Sequence, residues 1–119
     1  MKVKVYFTDD EIQCKCGCGK LIKRDLHFTR MNLLRQAMGR ALRVNSWCRC
    51  LKHNRKARAK DTSSHLEGFA TDIKARTFLM KIKLVFYAGK YGFHGIGWAK
   101  TFIHLDNDPI KGPNRFWTY

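Results

Sequence analysis

His65, Asp72 and His104 are the residues whose types and spacing best suit metal chemistry. His65 and Asp72 lie in Ser63-Ser64-His65-Leu66-Glu67-Gly68-Phe69-Ala70-Thr71-Asp72, and His104 lies in Phe102-Ile103-His104-Leu105-Asp106. A lone His is more often a surface or core residue than a ligand. Two imidazoles and a carboxylate from separate segments, however, can converge as a tripod. Three protein ligands with an open fourth position are the arrangement of a catalytic zinc rather than a structural one.

A second set of metal-competent residues lies apart from these. The five cysteines form two clusters, Cys14/Cys16/Cys18 and Cys48/Cys50. Two readings stand: four thiolates holding a second, structural zinc, or reduced thiols packed as small apolar groups. The C-x-C spacing departs from the usual C-x-x-C pairing of structural sites. An odd cysteine count, and an N-terminus without an apolar core or cleavage site, point to synthesis in the reducing cytoplasm without a secretory signal.

The elements that must position these groups follow from periodicity and capping. Thr8 is placed to cap a helical turn over Asp9-Asp10-Glu11, with Glu11 as its capping-box partner. Cys14–Lys20 is expected to be loop. Leu34, Ala37, Met38, Ala41 and Leu42 recur at helical spacing and predict a helix over 29–43, capped by Thr29. A short strand is expected within 41–47 and a charged surface loop over 54–62. Phe69–Ile73 suits a strand, and Phe78, Leu79, Ile82, Val85 and Phe86 trace a helix ending near Gly89. The glycines of 93–97 predict a turn-rich link. Thr101–Asp106 reads as a strand closed by Asn107-Asp108-Pro109. The expected fold is α+β: a small antiparallel sheet flanked by helices, in a single domain over residues 1–119.

Composition limits the function classes. With 45% apolar and 13% aromatic residues the chain is expected to fold, and no apolar run has the length of a membrane span. The 24 Lys and Arg against 9 Asp and Glu give a net charge of +15, which concentrates polyanions of any kind. The basic residues are densest over Arg49–Lys60 but form no nucleic-acid reader motif.

The motif Ser63-x-His65-x-x-Gly68-x-Ala70-x-Asp72, followed by Phe102-Ile103-His104-Leu105-Asp106, resembles the zinc D-Ala-D-Ala carboxypeptidase family of peptidoglycan peptidases. That family includes L-Ala-D-Glu endopeptidases, and Hedgehog signalling domains share its fold. Phe7–Cys18, Ser46–Asn54, Tyr91–Gly97 and Arg115-Phe116-Trp117 are similar to further family segments. The resemblance implies a Hedgehog/DD-peptidase-like fold and Zn²⁺ held by His65, Asp72 and His104. It also implies that Arg49 grips a substrate carboxylate or carbonyl, that Ser63 supports the site by hydrogen bonds, and that Gly68 and Ala70 keep the backbone close to the metal.

Where some family members carry a carboxylate general base, three residues before the second His ligand, this chain has Thr101. Asp106, two residues beyond His104 on the same strand face, is expected to act as general base, to orient the attacking water, or to steer a neighbour by a hydrogen bond. Trp47 and Cys48 stand at family glycine and tyrosine positions, so the loop presenting Arg49 is expected to be reshaped. Glu67 reads as a surface charge and His94 as an exposed turn residue.

The expected protein is a monomeric metallopeptidase that cuts peptidoglycan stem peptides and is held on anionic envelope polymers by its charge. It resembles a phage endolysin that reaches the wall by lysis, by export or from a virion. No nucleic-acid partner is expected. The rivals are a basic nucleic-acid-binding zinc module built on the cysteines and a catalytically inactive zinc-binding relative.

Overall fold

The computed structural model describes residues 3–119. Met1 and Lys2, the start of the segment read as lacking a secretory signal, lie outside the described residues. The Thr8 cap forms as expected: its Oγ1 accepts from Glu11 N–H at 3.4 Å while Glu11 Oε1 accepts from Thr8 N–H at 3.0 Å. The turn it starts, α1 (Asp9–Ile12), drives Ile12 fully into the core.

Helix α2 spans Asp25–Met38 rather than 29–43. It begins earlier because Asp25 suits the positive N-terminal end, and it stops where Gly39 turns left-handed (φ 67°) and caps the Arg35 and Gln36 carbonyls. Strand β1 (Val44–Ser46) follows. Of the stretch expected as surface loop over 54–62, residues 57–62 are loop, but 54–56 belong to a short helix, α3 (Leu51–Lys56), in which Asn54 is fully buried. A 3₁₀ turn over Ser64–Glu67, also unforeseen, leads into β2 (Ala70–Lys74).

Helix α4 (Phe78–Lys90) lies where expected, capped by Thr77, but with a different face inward. Leu84 and Ala88 are buried, whereas Phe78, Leu79, Ile82 and Phe86 are exposed. Because this helix is apolar nearly all round, periodicity alone does not define its buried stripe. Lys81 is buried within it, donating through Nζ to the Ala99 and Lys100 carbonyls at 3.1 and 3.0 Å.

Strands β3 (Gly95–Trp98), β4 (Phe102–Asp106) and β5 (Arg115–Thr118) complete a five-stranded sheet in the order β1-β2-β4-β3-β5. The fold is α+β as expected. The sheet is mixed rather than wholly antiparallel, because β5 returns parallel to β3. The residues read as a turn-rich link include β3, and β5 was not anticipated as a strand. One apolar cluster joins the sheet to the helices through Ile12, Met31, Leu34, Trp47, Ile73, Leu84, Ile103 and Leu105. The β2–β4 register brings distant residues face to face: Asp72 is paired directly with His104, and Ala70 with Asp106.

Candidate metal centre

Directly opposed residues on antiparallel strands hold their side chains within a few ångströms, so the sheet brings together two residues that are distant in sequence. His104 Nδ1 lies 2.9 Å from Asp72 Oδ1. His65 reaches the same point from the 3₁₀ turn, where Ser63 Oγ accepts the His65 backbone N–H at 3.3 Å. At the end of that turn Gly68 packs so closely on the Ile22 carbonyl that a Cβ has no room. Its glycine is therefore explained by this backbone contact rather than by closeness to a metal.

The tautomer of His65 follows from its neighbours. Its Nδ1 donates to the Trp47 carbonyl at 2.7 Å, which leaves Nε2 as a bare lone pair. That nitrogen is buried, lies 3.2 Å from Asp72 Oδ2 outside hydrogen-bonding alignment, and has no hydrogen-bond partner among the described residues. His104 is oriented from behind: its Nε2 donates to Asp106 Oδ2 at 3.0 Å. Asp106 is only 1% exposed and is clamped by the Arg115 guanidinium, with the Asp108 N–H on its Oδ1 at 3.3 Å.

Acceptor atoms from His65, Asp72 and His104 thus lie within 4.8 Å of one another in a buried position. Two imidazole nitrogens and a carboxylate are a donor set suited to zinc, and each imidazole has its other nitrogen tied to a carbonyl or carboxylate, as zinc-binding histidines do. An orphaned lone pair facing a carboxylate in a buried pocket calls for a cation. The residues fit the metal.

The electrostatics agree. Burial pushes the His65 pKa down, towards the neutral form that ligation needs, although Asp72 opposes the shift. Burial would also lower that of His104, but hydrogen bonds to Asp106 and Asp72 raise it instead. Burial would raise both carboxyls. The neighbouring histidines outweigh it at Asp72, and His104 with Arg115 outweighs it at Asp106, so both lie well below the usual carboxylate range.

The centre forms the floor of a cleft of about 360 Å³. Arg49 enters the cleft with its guanidinium fixed on three sides. Nε donates to Ser46 Oγ at 2.8 Å, Nη1 to Asn54 Oδ1 at 3.3 Å and Nη2 to Asp72 Oδ2 at 3.2 Å. Ala57, Arg58, Ala59, Ser63, Phe102 and Tyr119 line the remainder, and Asp72 is the only acidic side chain among the described lining residues.

All five residues singled out from the sequence therefore gather in one place, but Asp106 occupies a different position from that expected of a base. It lies against the far edge of the His104 ring, with its oxygens engaged by His104 and Arg115. Glu67 pairs with Arg24 at 3.1 Å on the surface, and His94, half-buried beside β5, lies outside the cleft lining. Sequence reasoning gave no role to the Trp47 carbonyl or to Ser46, Asn54 and Arg115. For Arg115 the one available signal was the Arg115-Phe116-Trp117 segment, and the structure now gives it a task.

The chain matches the family model described as Peptidase M15 over residues 5–106. It belongs to this family of zinc D-Ala-D-Ala carboxypeptidases. No curated protein matches the chain. The M15 protein is accordingly a zinc metallopeptidase acting on a peptide substrate, and the idea that the His-Asp-His pattern is a coincidence in a nucleic-acid-binding module falls away. Among the described residues no helix is long and apolar enough to cross a membrane. Strand β5 lies beyond the matched span, yet it supplies Arg115 to Asp106 and packs the Trp117 ring 5.2 Å from that of His104.

Proposed function

We propose that this M15 peptidase hydrolyses peptidoglycan stem-peptide bonds involving D-amino acids, as carboxypeptidase or endopeptidase, with His65, Asp72 and His104 as its zinc ligands. The observation that carries the reading is the Arg49 guanidinium, fixed by Ser46 and Asn54 at the edge of a buried His-Asp-His centre. A planar fork beside the reacting position suits a substrate carboxylate or the carbonyl next to it, and its fixed orientation costs little entropy on binding. Zinc in such a site supplies Lewis acidity, polarising a carbonyl and acidifying water.

The chain's own residues do the rest. The Trp47 carbonyl keeps the His65 proton on Nδ1, and Asp106 keeps the His104 proton on Nε2, so both ligand nitrogens face inward. Arg115 holds Asp106 in place, which makes Asp106 a positioning residue. Phe102 and Tyr119 narrow the cleft and limit water around the bound peptide.

The charge of +15 supports action on an anionic envelope, such as a wall rich in teichoic acid or an outer surface rich in lipopolysaccharide. A small basic wall hydrolase suits cell lysis by a phage endolysin or virion-associated lysin. Its place of action is then the cell wall, outside the cytoplasm in which it is made. The test is digestion of purified muropeptides followed by mass spectrometry, with His65→Ala and His104→Ala as controls. We expect stem peptides to be cut at a bond involving a D-residue by the wild type, and both variants to be inactive and zinc-poor. Intact muropeptides after prolonged digestion with zinc-loaded wild type would rule the substrate out.

A further inference from the structure

We propose that Cys14, Cys16, Cys18 and Cys50 bind a second zinc ion, a structural one, which fastens the loop over residues 14–20 to the segment that carries Arg49. Their four sulfurs lie within 4.8 Å of one another, with Cys14 and Cys16 at 3.4 Å and Cys16 and Cys50 at 3.6 Å. Four thiolates around zinc at about 2.3 Å give sulfur–sulfur edges of about 3.8 Å, so small shifts of these side chains suffice to close the cluster on a metal. Cys48, the remaining cysteine, is fully buried in the core and takes no part.

Backbone N–H groups are aimed at three of the four sulfurs. The Cys50 N–H donates to Cys14 Sγ at 3.3 Å, the His53 N–H to Cys50 Sγ at 3.4 Å and the Lys20 N–H to Cys18 Sγ at 3.5 Å. His53 Nδ1 adds a contact to Cys14 Sγ at 3.2 Å. Donors directed at sulfur stabilise negative charge there, as hydrogen bonds to anions do.

The unusual C-x-C spacing has a local explanation. Gly17 and Gly19 adopt left-handed conformations (φ 85° and 83°), and the Cys14 N–H closes the loop on the Lys20 carbonyl at 2.9 Å. In so tight a loop, alternate residues converge on one point. A four-thiolate zinc carries a net double negative charge, and Lys15, Lys20 and Lys52 are close in sequence to compensate it.

The position of the cluster suggests its purpose. Cys50 directly follows Arg49 and caps α3 with its sulfur. Lys20, at the end of the same loop, donates through Nζ to the Arg49 and Leu66 carbonyls at 3.1 and 2.7 Å. A metal at the cysteines thus anchors the backbone that directly follows the substrate arginine, without touching the His-Asp-His centre.

The experiment counts metal and identifies its ligands in the full chain. Elemental analysis is expected to find two zinc ions per wild-type chain. One should remain in the His65→Ala/His104→Ala double variant and one in the Cys16→Ser/Cys18→Ser double variant. Cobalt loaded into the histidine double variant should show intense near-ultraviolet thiolate-to-metal charge transfer. In the zinc-loaded wild type, the exposed Cys16 and Cys18 should resist iodoacetamide and become alkylated after chelation. The cobalt spectrum and alkylation can also be read on wild type, so the test does not depend on a cysteine variant folding. A single zinc per wild-type chain, cobalt without charge transfer, or equal alkylation with and without zinc would overturn the proposal.

Discussion

Replacing Asp106 with Asn tests the role that the geometry gives it. The carboxylate is 1% exposed and accepts from His104 Nε2–H, from Arg115 and from the Asp108 N–H. Asn offers one acceptor oxygen instead of two and carries no charge. If its amide nitrogen turns towards His104, that ring must move its proton to Nδ1, the atom that should ligate zinc. Losing such an orienting partner costs roughly 10–100-fold in metal affinity, or about 1.4–2.7 kcal/mol. Stability should also fall, because Arg115 loses its counter-ion. Breaking a fully buried pair costs about 3–5 kcal/mol, but the Arg115 side chain is 26% exposed and recovers hydration, so about 1–2 kcal/mol is expected. The assays are zinc affinity by competition with a chromophoric chelator, urea unfolding of the metal-free protein, and turnover at limiting and saturating zinc. Affinity should weaken about 10–100-fold, and saturating zinc should restore most of the turnover. Wild-type affinity combined with turnover lost even at saturating zinc would refute the positioning role and make Asp106 the general base.

Arg49→Lys should lower kcat/KM at least about tenfold with zinc content unchanged, since an ammonium cannot reproduce the fork; unchanged kinetics would return Arg49 to a structural role. Burial pushes the pKa of His27 down to about 4 against the hydrogen bond that its Nδ1 donates to Asn107 Oδ1, so the unfolded chain takes up a proton first as pH falls. Metal-free stability should therefore be complete above about pH 6.5 and lose about 3 kcal/mol on the way down to pH 4. Urea unfolding across that window should show a shallower dependence in His27→Gln, and equal slopes would be inconsistent with a neutral buried His27. In Gly97→Ala the new Cβ would lie 2.7 Å from Trp117 Nε1. Thermal unfolding should register a loss of about 1–3 kcal/mol, and an unchanged Tm would show that Trp117 is not held against β3.

What could be read from the sequence depended on whether the signal was local. The Thr8–Glu11 box is a four-residue matter and formed as written, and the run Thr101–Asp106, closed by Asn107-Asp108-Pro109, marked β4 directly. β3 was missed because Gly95 and Gly97 look like turn residues. Their glycines instead make room for Asp106, Arg115 and Trp117, which pack against the strand. The ligand set was legible as a motif, whereas its assembly was not, since it rests on the register that opposes Asp72 to His104. Strand parity correctly put Asp106 on the face of His104, but it does not say which edge of the ring an i+2 residue meets. The fixed arrangement of Arg49 depends on Ser46 and Asn54, and the burial of Asn54 follows from a helix too short to leave a periodic trace.

Chain order and sheet order differ in a way that bears on when the enzyme becomes active. His65, Asp72 and His104 are all synthesised before Arg115, and the strand carrying Arg115 joins at the sheet edge, parallel to β3. Parallel strands need a crossover connection, which must be ordered before the pairing rewards it. A nascent chain that has reached β4 thus owns the three proposed ligands but lacks the guanidinium that holds Asp106 behind His104. Docking of residues 115–118 is thus expected to tighten the grip of His104 on a metal, because it fixes the carboxylate that orients the ring.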